Sequence, residues 1–252
     1  HELEQMFISL NEKQIDNMIR IPDLVLSCSI TASKVMKVLG REEKIEVFYP
    51  YLNFNNIENS LKNNTSLRKK YKIPENSFIW AMSGTLDINK NPIRFINIAK
   101  KINEFMPNTY FLWIGETNIT GYDIYVQRLA AFLGINNNIV WTGALEEDYY
   151  EHLMLCNGFI LTSSIESFSI VVLESIFLKK PVVSFNCLGV QELLFSDIGF
   201  IVNNFDENEF ASKMMSIMLG TAKLDMLKGQ KFALEFDINK NIAKLEKFLE
   251  KL

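Results

Sequence analysis

Short apolar runs alternate with longer segments of helical periodicity along most of the chain, and this alternation limits the fold more than any other feature. The runs predict strands at residues 24–28, 45–48, 78–82, 110–114, 138–142, 158–161, 182–185 and 199–202. Periodic segments and helix-ending glycines predict helices at residues 3–20, 31–39, 92–105, 123–133, 147–155 and 207–219, and a helical turn at 190–194. Strands separated by such helices predict an α/β fold with a doubly wound parallel sheet, which binds ligands at the carboxyl ends of its strands.

One stretch combines buried apolar runs with an unusual set of polar groups. The strand at residues 158–161 ends in hydroxyl residues, and an acidic turn then carries Glu166. A second apolar segment at residues 168–178 carries Glu174, with seven residues between the two glutamates. Because two carboxylates flank a turn at a predicted strand end, this stretch is the candidate ligand site.

Periodicity alone leaves the state of the second apolar segment open. Its β-branched residues 170–172 favour a strand, but the connection to the next strand has no Gly or Asn for a tight hairpin turn. We therefore predict a helix with residues 164–167 at its N-terminus, where unpaired N–H groups and the helix dipole favour anions. Ser167, Ile170 and Glu174 would then share one face of that helix.

The carboxylate of Glu174 stands inside an apolar run, and burying it is costly unless it accepts hydrogen bonds. A hydroxyl of a bound ligand would satisfy it. A neighbouring backbone group or lysine would satisfy it equally well, so residue spacing leaves both interpretations open.

Composition excludes several function classes. The net charge of −4 argues against nucleic acid as a partner, and no apolar stretch is long enough to predict a transmembrane segment. The three cysteines, Cys28, Cys156 and Cys187, lie far apart and indicate reduced thiols in a cytoplasmic protein. Since the sequence has only two histidines, His1 and His152, it offers few residues for a histidine-based metal site or a catalytic triad, and we expect no metal.

Because the chain begins at His1 without an initiator Met or a signal peptide, we expect it to be part of a longer protein.

Polar composition at residues 50–76 predicts a domain boundary. Its basic cluster, residues 68–70, indicates a solvated helix face, with an anion site as the alternative.

The apolar stripe of Ile238, Ile242 and Leu245 continues to Leu249 on a last helix and predicts packing on this or a neighbouring domain. No strand end carries a Gly-x-Gly-x-x-Gly sequence, which argues against a dinucleotide cofactor, and no Walker A sequence occurs either.

The ordered motifs resemble those of family 4 retaining glycosyltransferases of GT-B fold. The central match is Glu166 and Glu174, preceded by Thr162-Ser163-Ser164 and followed by Lys180-Pro181-Val182-Val183. Further matches keep the family's order and cover roughly residues 22 to 250: Gly84 with Lys90, Ile114-Gly115, Trp141-Thr142-Gly143, Gly189 with Glu192, and residues 199–202.

The resemblance implies a fold and a role for each part of the chain. The chain would contain a Rossmann-like C-terminal domain at residues 51–232, which binds a nucleotide-sugar donor. Residues 1–50 would be a remnant of the N-terminal, acceptor-side domain, most of which would be missing, and residues 233–252 a helix that packs back toward it. The function implied is sugar transfer from a nucleotide-diphosphate sugar to a glycan or lipid-linked acceptor, without a metal or other cofactor, in polysaccharide biosynthesis. The location would be cytoplasmic, free or peripheral to the inner face of the membrane.

The resemblance also assigns site residues. Glu166, the catalytic candidate, would contact the donor sugar, Glu174 the ribose hydroxyls, and Lys90 the pyrophosphate. Gly84 and Thr85 are further donor-binding candidates. The base would lie near Gly143, Ala144 and Leu145. The backbone N–H groups of the remaining candidates would face the phosphates: Ser167, Phe168, Ser169 and Ile170.

Three departures from the family pattern stand out. Thr85 replaces an arginine, which removes a bidentate phosphate ligand and predicts weaker donor binding. Asn91 replaces a glycine after the lysine, and Ser167 and Ser169 stand where glycines are frequent. Two rival functions remain: a non-catalytic nucleotide-sugar-binding module, which Thr85 favours, and a sugar-nucleotide epimerase of related fold.

Overall fold

The computed structural model describes residues 10–61 and 67–250, and its first elements form a small parallel unit. This unit comprises helix α1 (Glu12–Arg20), strand β1 (Val25–Ser27), helix α2 (Ile30–Val38) and strand β2 (Ile45–Val47). β1 and β2 pair in parallel. Helices α3 (Phe54–Ser60) and α4 (Leu67–Lys70) then lead to the larger part of the chain.

The larger part alternates strands and helices: β3 (Phe78–Ser83), α5 (Pro92–Phe105), β4 (Thr109–Ile114), α6 (Tyr122–Phe132), β5 (Ile139–Trp141), α7 (Tyr149–Leu155), β6 (Gly158–Leu161), α8 (Ile170–Phe177), β7 (Val182–Phe185), β8 (Gly199–Val202), α9 (Glu207–Met218), α10 (Met226–Ala233) and α11 (Ile238–Leu249). Short 3₁₀ helices occupy Asn136–Asn138, Gly189–Glu192 and Leu234–Phe236. Among the described residues no helix is both long and apolar enough to cross a membrane.

The described residues place six strands in one parallel sheet, in the order β5-β4-β3-β6-β7-β8. The order runs outward from β3 in one direction and from β6 in the other, so it reverses between these two strands. The loops that follow β3 and β6 therefore leave the same edge of the sheet in opposite directions and open a crevice. The predicted doubly wound parallel sheet is confirmed.

Helix α5 shows how local sequence fixes an element of this sheet. Asn91 stands at its N-cap in the left-handed region (φ 56°), and its side chain accepts a hydrogen bond from the N–H of Arg94. Pro92 follows at the first helical position, where its missing N–H costs nothing. Asparagine tolerates left-handed φ better than other non-glycine residues, so this departure from the family's glycine keeps the backbone and adds a cap.

Several predicted helix ends are wrong by a few residues. Ser29, not Thr31, caps α2, because the extended chain at Ser29 lets its hydroxyl accept from the N–H of Ala32. The N-cap of α8 is Ser169 rather than a residue of the 164–167 segment, so Ser167 precedes the helix and does not share its face with Glu174.

Other differences concern whole segments. Helices α3, α4 and α10 have no clear periodic pattern of apolar residues and are absent from the sequence-based prediction. The first predicted helix, residues 3–20, is described only from residue 10, and its remaining positions, including Leu3, lie outside the described residues. The stripe on α11 is largely uncovered by the described residues, since Ile242 is 56% exposed. It lines an apolar groove together with residues 48–51 at the end of β2. The division into domains at residues 50 and 232 stays a prediction.

Candidate functional site

The two loops that flank the crevice are joined by side chains. Lys90, after β3, donates from Nζ to the carboxylate of Glu166, after β6, at 2.6 Å. Beside it the buried Asn89 binds residue 165 in both directions, accepting from the Ile165 N–H and donating to its carbonyl oxygen, each at 3.1 Å. The Asn89 carbonyl also accepts from the N–H of Ser164 at 2.7 Å. These contacts hold a cation and an anion side by side at the point where the strand order reverses.

The N-terminus of α8 faces this ion pair. Its cap residue Ser169 is extended, makes no side-chain capping bond, and has a buried hydroxyl without a hydrogen-bond partner in the part of the chain that the structure describes. The first N–H groups of a helix have no partner within the helix, so the first turn of α8 keeps donors available. Lys90, Glu166 and residues 167–170 line a common cavity of about 210 Å³. A lysine and a helix N-terminus facing one cavity provide the elements of an anion site.

A second cavity of about 420 Å³ adjoins the first, because Ser83 and Gly84 line both. Its floor is a crossing of three strand-end loops, in which Gly84 donates to the carbonyl oxygen of Ile114 and Gly115 donates to that of Gly143. A Cβ atom on Gly115 would lie 2.1 Å from the carbonyl oxygen of Gly84, so only glycine fits there. Ala144 and Leu145 form part of the cavity wall. Its volume lies within the range of small-molecule sites in proteins.

Two consecutive phenols bind the carboxylate of Glu174. The Tyr149 hydroxyl donates to Oε2 at 2.8 Å, and the Tyr150 hydroxyl donates to Oε1 at 2.9 Å. Burial raises the pKa of Glu174 above its ordinary value, and the two hydrogen bonds lower it. Burial and the negative Glu174 raise the pKa of both tyrosines, so the phenols remain protonated donors at neutral pH. The partners of Glu174 are therefore neither a lysine nor a backbone group, as one alternative expected, but a pair of tyrosine hydroxyls.

The 3₁₀ turn of residues 189–192 and the residues just before it bind the backbone of the Glu166 loop. The N–H of Gly189 donates to the carbonyl oxygen of Glu166 at 2.9 Å, and the N–H of Glu166 donates to that of Cys187 at 2.8 Å. At the end of this turn the Glu192 carboxylate accepts from the N–H groups of Ile30 and Thr31 and from the hydroxyl of Tyr49, at 2.8 to 3.0 Å. Residue 192 therefore links the first parallel unit to the turn that carries the site loop.

The structure brings most of the predicted site residues into the two cavities. Gly84, Thr85, Ala144 and Leu145 line the larger cavity, and Gly84, Lys90, Glu166, Ser167, Phe168, Ser169 and Ile170 line the smaller one. Gly143 and Glu174 line neither of these two. Gly143 contributes its carbonyl oxygen to the floor, and Glu174 lies behind Tyr149, which does line the larger cavity.

Three residues at the site were not predicted from the sequence: Asn89, Tyr149 and Tyr150. Asn89 belongs to a loop, where a single amide gives no periodic signal, and its partner residue 165 lies far away in sequence. The two tyrosines begin α7, which was predicted as a helix without a role in the site. Their adjacent phenols were visible in the sequence, but only the fold shows that both reach the same carboxylate.

Phe168 contributes packing rather than chemistry to the site. Its ring is buried and contacts the rings of Tyr49 and Phe236, at centroid distances of 5.5 and 5.7 Å. These contacts hold the loop before α8 against the end of β2 and the segment before α11. A ligand in the smaller cavity would therefore meet the backbone of residue 168.

The remaining reactive residues lie outside the site. His152 is buried between the hydroxyl of Tyr71 and the carbonyl oxygen of Asp148. Burial raises the pKa of the Cys156 and Cys187 thiols to about 12, so neither is a thiolate nucleophile at neutral pH. Within residues 10–61 and 67–250, no three acidic, histidine or cysteine side chains form a group that could hold a metal ion. Binding without a metal stays a prediction.

Comparison with known proteins identifies relatives of this chain. A profile of the family described as Glycosyl transferases group 1 matches residues 63–231, which is more than half of the chain. EpsD of Bacillus subtilis (strain 168), which is named as a glycosyltransferase, is 26% identical over 149 residues, 59% of this chain and 38% of EpsD. The uncharacterized glycosyltransferase MJ1059 of Methanocaldococcus jannaschii is 28% identical over 133 residues, 52% of this chain and 32% of that protein. The chain therefore matches less than half of the length of these relatives.

Solved structures share the fold. Anabaena HepE in complex with UDP and glucose has a TM-score of 0.85 and 19% identity to the chain, and the match covers 100% of this chain and 70% of HepE. HepE has also been solved with UDP-glucose. At this level of identity the likeness concerns the fold alone, and it confirms the predicted Rossmann-like sheet of GT-B type.

Proposed function

This chain belongs to the Glycosyl transferases group 1 family, and from that premise we propose that it forms the donor-binding part of a retaining glycosyltransferase of family 4. The substrate would be a nucleotide-diphosphate sugar, and the transferred group a hexosyl unit. The observation that carries the proposal is the meeting of Lys90 and Glu166 at the N-terminus of α8 where the strand order reverses. HepE, which shares this fold, binds UDP and UDP-glucose, and this supports a uridine nucleotide as the first ligand to test.

We propose that the diphosphate occupies the smaller cavity. Lys90 and the first-turn N–H groups of α8 would stabilise the negative charge that grows on the leaving group, which is the role that metal ions have in other transferases. This arrangement supplies the positive potential from the protein itself. Thr85 adds no charge, so Lys90 carries a larger share of the charge stabilisation than it would beside an arginine.

The other parts of the donor follow from the larger cavity. We propose that the base lies against the backbone of Ala144 and Leu145, and that the ribose hydroxyls reach toward Glu174 and Tyr149. The sugar would then lie beside Glu166, whose carboxylate accepts from sugar hydroxyls while it keeps its ion pair with Lys90. Glu166 touches the transferred sugar in this arrangement and is the candidate catalytic residue.

The acceptor would be a glycan or a lipid-linked sugar. We propose that its binding surface lies largely outside these residues. The chain matches only 38% of EpsD and 32% of MJ1059, so each of these relatives has further chain that could supply such a surface.

A second function has one observation in its favour. Thr85 is exposed and uncharged at a position where the family pattern has an arginine, which favours a non-catalytic nucleotide-sugar-binding module. Such a module would bind the donor with the same residues but would not transfer the sugar.

Two measurements test the proposal. Calorimetric titration of this chain with UDP, GDP and ADP, and with their glucose conjugates, should show binding of one nucleotide series. Absence of binding across the whole panel would contradict the proposed function. A longer protein that includes the acceptor side should then transfer the sugar with retention of anomeric configuration, as read by NMR of the product. Donor binding without any transfer by that longer protein would favour the binding module instead.

A further inference from the structure

Two tyrosine hydroxyls bind the carboxylate of Glu174, and the proposed donor site does not by itself explain why two are present. Both carboxylate oxygens accept from phenols, at 2.8 and 2.9 Å, and the two phenols belong to consecutive residues of one helix, Tyr149 and Tyr150. Consecutive helical residues point about 100° apart, so two of them rarely reach the same group. Tyr149 and Tyr150 are the first two residues of α7, and both hydroxyls reach the Glu174 carboxylate.

The geometry leaves the carboxylate able to bind a ligand as well. An ionised carboxylate has about four acceptor positions, and the phenols use two of them, one on each oxygen. Tyr149 also lines the larger cavity, so the Tyr149–Glu174 hydrogen bond lies at the cavity wall. In the proposed function vicinal hydroxyls lie against Tyr149, and from there they would donate to the acceptor positions that remain on Glu174 behind it.

We infer that Tyr149 and Tyr150 are positioning residues that fix the Glu174 carboxylate and keep it ionised for recognition of the vicinal hydroxyls of a ribose. This inference rests on the proposed function, because it concerns the ribose of the proposed donor. The phenols themselves perform no chemistry. Their effect on the ligand passes through the charge and orientation of Glu174.

Among the described residues, the hydrogen bonds to the Glu174 carboxylate come from Tyr149 and Tyr150. The strands beneath α8, β6 and β7, contain no titratable side chain, and α10, which packs beside it, contributes the Gln230 amide to the carbonyl oxygen of Phe177. Burial raises the pKa of Glu174, and the groups that lower it are the hydroxyls of Tyr149 and Tyr150. Without those hydroxyls burial acts alone, so the pKa rises further and the carboxylate becomes protonated at a higher pH.

The sign of the pH effect follows from this. A protonated Glu174 offers fewer acceptor positions, so ribose recognition is present above its pKa and is lost as the pH falls through it. Removing the phenols moves this loss to higher pH. Because the double variant loses both hydrogen bonds to the charged form of Glu174, the pH at which ribose recognition is lost should rise by at least about one unit.

The experiment compares two probes that carry the same diphosphate, UDP and 2′,3′-dideoxyuridine diphosphate. The ratio of their dissociation constants isolates the ribose hydroxyls and cancels the titration of the phosphate. It is measured from pH 5.5 to 8.5 in the wild type, in Tyr149→Phe/Tyr150→Phe and in Tyr110→Phe. Tyr110 is the second residue of β4, near the amino-terminal end of that strand, and serves as the matched control. Tyr150→Phe alone is the second variant, because this phenol is only partly buried and its loss should leave the fold intact.

In the wild type and in Tyr110→Phe we expect UDP to bind about tenfold or more tightly than the dideoxy analogue above neutral pH. In the double variant this preference should collapse at a pH about one unit higher, and Tyr150→Phe should show part of the same shift. An unchanged pH profile in folded variants would overturn the inference, as would a wild type that binds both probes equally. In either case UDP would still bind and the proposed function would stand. If none of UDP, GDP and ADP binds, both the proposed function and the inference fail.

Discussion

Lys90 and Glu166 form the ion pair on which the proposed donor site depends. Their atoms lie 2.6 Å apart, and both side chains are largely buried, so little water screens the interaction. A diphosphate that enters the smaller cavity must share Lys90 with Glu166. The two residues are therefore expected to affect nucleotide binding in opposite directions.

Replacement of the lysine tests its share of the phosphate interaction. Lys90→Met should weaken UDP binding by about tenfold or more and leave uridine binding nearly unchanged, because a hydrogen bond to a charged group contributes about 1.5 to 3 kcal/mol. Lys101→Met is the matched control, since Lys101 lies on α5, the helix that follows the Lys90 loop, and binds the Asn208 side chain away from the cavity. Equal losses for UDP and uridine, measured by calorimetry, would refute the phosphate role.

Replacement of the glutamate should have the reverse effect on UDP. Glu166→Gln removes the partner that competes for Lys90 and the like charge beside the phosphates, so UDP affinity should rise by about 1 kcal/mol, or roughly fivefold. UDP-glucose should gain less, because the sugar loses its charged acceptor. Weaker UDP binding by a folded Glu166→Gln variant would show that this carboxylate does not oppose the diphosphate.

For individual residues, the sequence predicted which residues belong to the site better than it predicted which residues bind one another. Lys90 and Glu166 were both predicted for the donor site, yet their mutual ion pair followed only from the strand order, which brings residues 76 positions apart into contact. The partners of Glu174 were missed for a similar reason. Spacing within one segment indicates that a carboxylate needs a partner, but the partner lies on another helix.

The element that supports the site is the 3₁₀ turn of residues 189–192. It bonds to the Glu166 backbone at one end and, through Glu192, to the first turn of α2 and to Tyr49 at the other. Burial and the neighbouring Glu192 raise the pKa of Tyr49 to about 12, so this phenol stays protonated and continues to donate. The turn therefore couples the small parallel unit to the site loop by direct hydrogen bonds.

The turn can be tested at Gly189, where a Cβ atom would lie 2.2 Å from the carbonyl oxygen of Ser167. Because the clash is with backbone, Gly189→Ala should move the site loop, lower stability by about 1 to 3 kcal/mol and weaken UDP binding. Gly134→Ala provides the control: its φ of 76° also strains alanine, but its Cβ meets no neighbouring atom. That variant should lose some stability in urea denaturation and keep its UDP affinity. Unchanged UDP affinity in Gly189→Ala would show that the turn does not support the site.

Elements with strong periodicity were predicted closely, and weak ones were not. Helix α5 was predicted with the bounds that the structure shows, because Pro92 marks its start and apolar residues recur along one face. Helix α10 was missed, since its eight residues include a glycine and two lysines. That glycine, Gly229, lies against Ile198 and Ile176, so tertiary packing rather than local propensity explains the helix.

The whole molecule presents a donor-side crevice on a six-stranded sheet and a smaller parallel unit beside it. The two are joined by the Glu192 contacts and by the ring of Phe168 against Tyr49 and Phe236. Sequence periodicity predicted the sheet class but not these contacts, because they depend on how separate segments meet. The positions of the domain boundaries stay a prediction.

At this scale we predict that the 252-residue chain binds a nucleotide sugar but does not transfer it. Transfer requires donor and acceptor to be held in reactive geometry, which accounts for roughly 7 to 11 kcal/mol of barrier lowering. The assay compares this chain with a longer protein that carries the acceptor side, using the same donor and acceptor extracts. Transfer at comparable rates would show that the acceptor site lies within these residues.

The most direct test of the central claim is a crystal structure of this chain with UDP-glucose. We predict the diphosphate within hydrogen-bond distance of Lys90 Nζ and the first-turn N–H groups of α8, with the ribose hydroxyls toward Glu174 and the glucose beside Glu166. A diphosphate bound away from Lys90 and from the N-terminus of α8 would contradict it, even if the chain bound UDP-glucose tightly.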